Sequence, residues 1–222
     1  MRNNPLVITI DGPAGSGKST VARRLAEALD IPYLDTGAMY RALALAAIEN
    51  NVAADDEAGL VKLFRSSKLE IGADGRVRWN GRDISRDIRS SQVTAQVSRV
   101  AALPAVRELM VQAQRDYARD RGVVTEGRDQ GTVVFPDADF KFYLDADLEV
   151  RASRRAGDLA RAGEEVDLMR LVAEIAARDR SDRERGVGPL MPPQDAEVID
   201  SSVLTIEEVT HELLDRVRGV SP

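Results

Sequence analysis

Leu6-Val7-Ile8-Thr9-Ile10-Asp11-Gly12-Pro13-Ala14-Gly15-Ser16-Gly17-Lys18-Ser19-Thr20 decides the fold. It runs from an apolar, β-branched segment through a glycine-rich turn into a helix-like stretch that opens at Lys18. Strand, loop and helix in that order, with two spaced glycines, a lysine and a hydroxyl residue, form a phosphate-binding loop. Glycines at 12, 15 and 17 let backbone N–H groups curl around a β-phosphate, and the helix N-terminus adds its positive dipole end. Lys18 then places a charge between the β- and γ-phosphates, and the Ser19 hydroxyl is a ligand for Mg²⁺. Gly12 to Thr20 are therefore expected to bind a nucleoside triphosphate, ATP, with its metal.

Outward from this loop, further buried strands are expected at Tyr33-Leu34, Val123–Thr125, Phe140–Leu144 and Val198-Ile199. Helical stretches run roughly over 18–29, 36–49, 91–101, 105–120, 148–162, 168–182 and 206–218. Alternation of strand and helix implies an α/β fold with a parallel sheet and helices on its faces. One region departs from it. Leu69–Ile71, Val77–Trp79 and Arg82–Ile84 are short pieces separated by Ala73-Asp74-Gly75 and Asn80-Gly81. Asp-Gly and Asn-Gly supply positive φ and read as hairpin turns, so about 60–95 is expected to be an antiparallel meander inserted into the core.

Composition narrows the class. The chain has 222 residues with 43% hydrophobic and 31% charged, enough for one domain carrying an insert. It has no cysteine, which excludes disulfides, thiolate zinc sites and cysteine nucleophiles, and its one histidine, His211, is expected on the polar face of the last helix. The N-terminal apolar run is too short for a signal segment and nothing approaches a membrane span, so a cytoplasmic protein without membrane partners is expected. A net charge of −6 argues against nucleic-acid binding. Of the 31 basic residues all but Lys18, Lys62, Lys68 and Lys141 are arginines, through compositional bias or because some clamp phosphates bidentately. A signalling GTPase would carry an Asn-Lys-x-Asp guanine reader, which is absent. A small kinase remains, with a second site holding an acceptor in line with the γ-phosphate.

Leu34-Asp35-Thr36-Gly37-Ala38-Met39-Tyr40-Arg41, Glu126-Gly127-Arg128-Asp129-Gln130-Gly131-Thr132-Val133-Val134-Phe135-Pro136 and Arg178-Asp179-Arg180-Ser181-Asp182-Arg183, together with the phosphate loop, resemble the bacterial cytidylate kinase family. The resemblance runs in order from about Pro5 to Arg218. It implies a nucleoside-monophosphate-kinase fold with a five-stranded parallel sheet, an acceptor insert (about 60–95) and a short lid (about 151–165), the rest being core. It implies transfer of a phosphoryl group from ATP to CMP or dCMP, without covalent intermediate, by a monomer. Carried over by motif, Arg41 and Arg128 clamp the acceptor phosphate. Thr36 keeps the hydroxyl of an acceptor-site residue, often Ser in the family. Ser98, Arg107 and Asp129 read cytosine, Arg185 lies near the base, and Arg178 and Asp182 hold the ribose. Arg151, Arg154 and Arg155 belong to the lid, with Arg154 acting on the transferring group beside Lys18 and Arg128. Glu126 stands where the family commonly has Asp, which leaves its part at Mg²⁺ open. Asp11 reads as a candidate backbone cap beside the loop. Guanylate kinase is disfavoured by a missing Arg-x-Gly-Glu motif, adenylate kinase by a missing Asp-Gly-Phe-Pro-Arg segment, and shikimate kinase by the meander. A non-catalytic nucleotide-binding module would have no need of the arginine clamp.

Overall fold

A computed structural model of the protein describes residues 5–72, 75–161, 163 and 165–219. Among them a five-stranded parallel sheet has the order β2 (Tyr33–Asp35), β6 (Val123–Gly127), β1 (Val7–Asp11), β7 (Phe140–Asp145), β8 (Glu197–Asp200). Successive residues of a strand point to opposite faces, and both faces here are buried. Tyr33 and Val124 join Ile8 and Ile10 in the core shared with α1 (Lys18–Leu29) and α8 (Ile206–Arg218). Their neighbours Leu34 and Val123 face the other core, built on α2 (Thr36–Glu49), α4 (Ser91–Ala102) and α5 (Pro104–Ala118). Registers Asp35↔Glu126 and Asp11↔Gly127 bring three carboxylate-bearing strand ends to one edge, the C-terminal edge where open α/β sheets bind ligands.

The insert differs from the expected meander in one respect. It begins with a helix, α3 (Glu57–Arg65), capped by the Asp56 side chain at Gly59 N (2.9 Å), which buries Leu60 and sends Glu57 to Ala105 N at 2.6 Å. Only nine residues long and interrupted by Gly59, it gives little helical periodicity to read in sequence. The antiparallel sheet of β3 (Leu69–Ile71), β4 (Val77–Trp79) and β5 (Arg82–Asp83) follows as expected. Its Asn80-Gly81 turn has φ +50° and +81°, while Ala73 and Asp74 of the other expected turn lie outside the described residues. Val77, Trp79, Ile84 and Ile88 pack into the same core as α2, so the insert is braced against the helix that carries Arg41.

Helix α6 (Leu148–Arg161) covers most of the expected lid and packs against α7 (Leu168–Glu184), and Ala162 and Glu164 of the lid lie outside the described residues. Met1–Asn4 and the last three residues also lie outside them. Among the described residues no helix is long and apolar enough to cross a membrane.

Candidate active site

At the phosphate loop, a Cβ on Gly12 would fall on the Leu144 carbonyl oxygen, so only glycine lets the chain leave β1 so close to β7. Lys18 Nζ donates to the Pro13 carbonyl at 2.9 Å and lies 4.0 Å from Glu126 Oε2. Ser19 Oγ donates to Glu126 Oε1 at 2.8 Å, and Thr36 Oγ1 donates to the Glu126 carbonyl at 2.7 Å. Burial, reinforced by the Arg128 cation, pushes the Lys18 pKa down to about 7. Burial and the nearby Asp35 push the Glu126 carboxyl up. Each charge is thus held in a place that favours its neutral form until counter-charge arrives. A hydroxyl and a buried carboxylate are oxygen donors of the type Mg²⁺ prefers, so Ser19 with Glu126 fits the metal expected here.

Farther round the loop, Arg151 is not a free lid arginine. Its Nη1 donates to the Ala14 carbonyl (3.0 Å) and to Asp179 Oδ2 on α7 (2.6 Å), and its Nε donates to the Ala146 carbonyl (2.8 Å). Of the other two, Arg155 is exposed. Arg154 donates to the Ser201 carbonyl at 2.5 Å, and Ser201 Oγ in turn donates to the Ser16 carbonyl at 3.0 Å. Arg154 therefore lies on the Ser201 side of the loop.

Across the strand ends from Lys18 stands a cluster of arginines. Arg128 Nε donates to Asp182 Oδ2 at 2.8 Å. Burial would raise the Asp182 pKa, but Arg128 and Arg178 outweigh it and hold the carboxyl below its ordinary value. Arg41 and Arg178 each bury an Nε with no hydrogen-bond partner among the described residues. Burial, with Arg128 adding like charge, lowers the Arg178 pKa to about 10. Buried N–H donors are normally satisfied, so unpartnered guanidinium edges among like charges suit an anion such as a phosphate.

Beyond this cluster Arg107, 2% exposed, pairs with Asp129 Oδ2 and donates to the Tyr40 hydroxyl at 3.3 Å. Arg185 lies 3.6 Å from Asp129 Oδ1 and donates through Nε to the Gly188 carbonyl. Gly188, at φ +59°, sits so near that a Cβ would meet both the Asp129 carboxylate and Arg107. Ser98, half-buried on α4, bonds to neither member of the pair among the described residues.

The sequence as a whole is similar to those of known proteins. The family model described as cytidylate kinase matches residues 8–219. The chain belongs to the cytidylate kinase family. A cytidylate kinase of Pelotomaculum thermopropionicum is 50% identical over 214 residues, covering 95% of each chain. One of Methylococcus capsulatus is 46% identical over 222 residues, covering 99% of this chain and 100% of that one. By fold the chain is similar to an uncharacterized protein of Eubacterium ventriosum, with TM-score 0.53 and 13% identity over 96% of this chain and 98% of that one. Like its family, the chain is a kinase that uses ATP and a small nucleotide substrate.

The structure thus brings together Lys18, Ser19 and Thr36 on one side, and Arg41, Arg128, Arg178 and Asp182 on the other. Arg107, Asp129 and Arg185 form a third group. Sequence reasoning left Glu126 open and did not single out Asp35, Tyr40 or Asp179. Their polarity alone gave no signal, because what makes them part of the site is the register of β2 on β6 and the packing of α7 on α6.

Proposed function

We propose that this protein transfers the γ-phosphoryl group of ATP to CMP or dCMP, giving ADP and CDP or dCDP. The observation that carries the reading is the set of half-buried arginines, Arg41, Arg128 and Arg178, gathered opposite Lys18, with Arg41 Nε and Arg178 Nε left unpartnered among the described residues. A dianionic acceptor phosphate there is ready to attack: one of its oxygens bonds to the γ-phosphorus as the bond to the β-phosphate oxygen breaks. No strong base is required, since the acceptor oxygen is already ionised near neutral pH. Lys18 and Arg128 stabilise the charge on the transferring group, so catalysis is mostly positioning and electrostatics. Ser19 and Glu126 would hold Mg²⁺, which would supply charge neutralisation to the triphosphate. Arg154 would serve the same group only after leaving Ser201, a movement that belongs with closure of the lid segment over the loop and exclusion of water. Thr36 and Ser98 supply hydroxyls to the acceptor, Asp129, Arg107 and Arg185 face its base, and Arg178 with Asp182 lies toward its phosphate and ribose. Residues 60–95 act as the acceptor insert and 151–165 as the lid of a cytoplasmic monomer.

The test is product identification by chromatography after incubation with ATP, Mg²⁺ and one acceptor: CMP, dCMP, UMP, AMP or GMP. CDP or dCDP should form fastest, Lys18→Ala should abolish it, and Arg41→Ala should weaken it while leaving ATP binding intact. Faster phosphorylation of AMP or GMP would overturn the reading.

A further inference from the structure

Asp11 ends β1 one residue before the phosphate loop, and its sequence position suggests service to the donor. Its geometry points elsewhere. The carboxylate is completely buried; Oδ1 accepts from Gln130 N and Oδ2 from Gly131 N, both at 2.8 Å. Those N–H groups open a turn of π-helix over Gln130–Val134, a form that recurs at functional sites. The side chain of Gln130 fixes the same point from the other side, through Thr125 Oγ1 (3.0 Å) and Gln114 Oε1 (3.1 Å). On the strand side, Gly127 is fixed by its pairing with Asp11 itself. Between these two fixed points lie only Arg128 and Asp129, the residue of the phosphate clamp and the residue facing the base.

We infer that Asp11 is a positioning residue of the acceptor site: its carboxylate pins the far end of a two-residue segment and so aims Arg128 and Asp129 together. The inference rests on the acceptor reading above. Both carboxylate oxygens are occupied by the turn, and the loop's exit from β1 is set by the approach of Gly12 to Leu144, in which the Asp11 side chain has no part. Two hydrogen bonds accepted from consecutive backbone donors, one on each carboxylate oxygen, fix direction as well as position.

The decisive variants are Asp11→Asn, whose amide must turn an NH₂ toward one of the two N–H donors, and Asp11→Ser, whose hydroxyl can reach one donor at most. Steady-state kinetics with CMP and equilibrium binding of ATP to the free enzyme separate the two sites. KM for CMP should rise at least about tenfold in Asp11→Asn and less in Asp11→Ser, while the ATP dissociation constant stays within about threefold. Stabilisation of the thermal midpoint by CMP should shrink while that by ATP persists. An equal or larger loss on the ATP side would place Asp11 with the donor loop, and unchanged CMP kinetics would show that the turn holds itself; either overturns the inference. If neither variant folds, Asp11 is a residue of the core and the inference falls too. Failure of the wild-type enzyme to use CMP would instead overturn the parent reading.

Discussion

The guanidinium of Arg128 and the carboxylate of Asp182 meet at 2.8 Å, joining the turn after β6 to α7 across the mouth of the proposed acceptor site. The family resemblance gives Asp182 a part at the ribose. The structure adds a mechanical one, since Asp182, with the Gly127 carbonyl, holds the Arg128 guanidinium in place. Both side chains are largely buried, at 16% and 10% exposure, so the pair is screened less than a surface bridge. Breaking a buried pair by removing one partner costs about 3–5 kcal/mol, much of it from the charge left behind.

A double-mutant cycle measures that dependence. Asp182→Ala and Arg128→Ala should each lower kcat/KM for CMP by about ten- to a hundredfold, and the double variant should be scarcely worse than either single one. Strict additivity of the two losses would show that Asp182 acts on the nucleotide independently of Arg128.

Lys18 gives a prediction about protons. In the free protein burial lowers its pKa from 10.5 to about 7, so the unfolded chain binds the extra proton between those values. Stability of the ligand-free protein therefore gains from this group as pH rises through that window. A triphosphate beside Lys18 restores the charged form, and binding of ATP near pH 8, where its phosphates are already ionised, should take up a proton. Calorimetry of ATP binding without metal, in buffers of different ionisation enthalpy, reads the uptake directly. Lys18→Met should abolish it; an uptake that survives in that variant would assign the proton to another group.

Gly188 tests the packing over the base-facing pair. Alanine there meets the Asp129 carboxylate and Arg107 and must also hold φ near +59°, a strain of about 1 kcal/mol for a residue with a Cβ. Gly188→Ala should therefore raise KM for CMP several-fold with little change in ATP affinity. Loss confined to the ATP side would mean that the loop after α7 belongs to the donor.

The donor half of the site is legible in sequence because its chemistry is contiguous: one loop from Gly12 to Ser19 carries the glycines, the lysine and the hydroxyl, and strand and helix flank it. The acceptor half is assembled from α2, α5, the turn after β6 and α7, and only resemblance could nominate its members. What neither route supplied is who holds whom. Arg151 looked like a lid arginine because it opens the stretch expected as the lid, but α6 turns it inward to Asp179 and Ala14. Arg154, three residues on, reaches Ser201 instead of the arginine cluster. The helix α3 escaped notice because its nine residues carry too little periodicity beside the strong turn signals that follow. Asp11 could be read as a cap, and it is one; that it caps the turn after Asp129 depends on β1 lying beside β6.

The buried pair of Asp129 and Arg107 is expected to select cytosine over uracil. Cytosine offers an amino donor at position 4 and an acceptor at position 3, and uracil reverses both. The Asp129 carboxylate accepts and Arg107 donates, which matches cytosine and opposes uracil at both atoms. Burial pushes the Asp129 carboxyl above its ordinary pKa, and Arg107 and Arg185 beside it offset part of that rise. Each unmatched buried group costs about 1–3 kcal/mol, so the wild-type preference should be strong. The measurement is kcat/KM for CMP and for UMP in the wild type and in Asp129→Asn. The amide can turn a donor toward the uracil carbonyl, so use of CMP should fall and the CMP-to-UMP ratio should narrow by at least about tenfold. A ratio that Asp129→Asn leaves unchanged would contradict the claim and leave Asp129 with no part in reading the base.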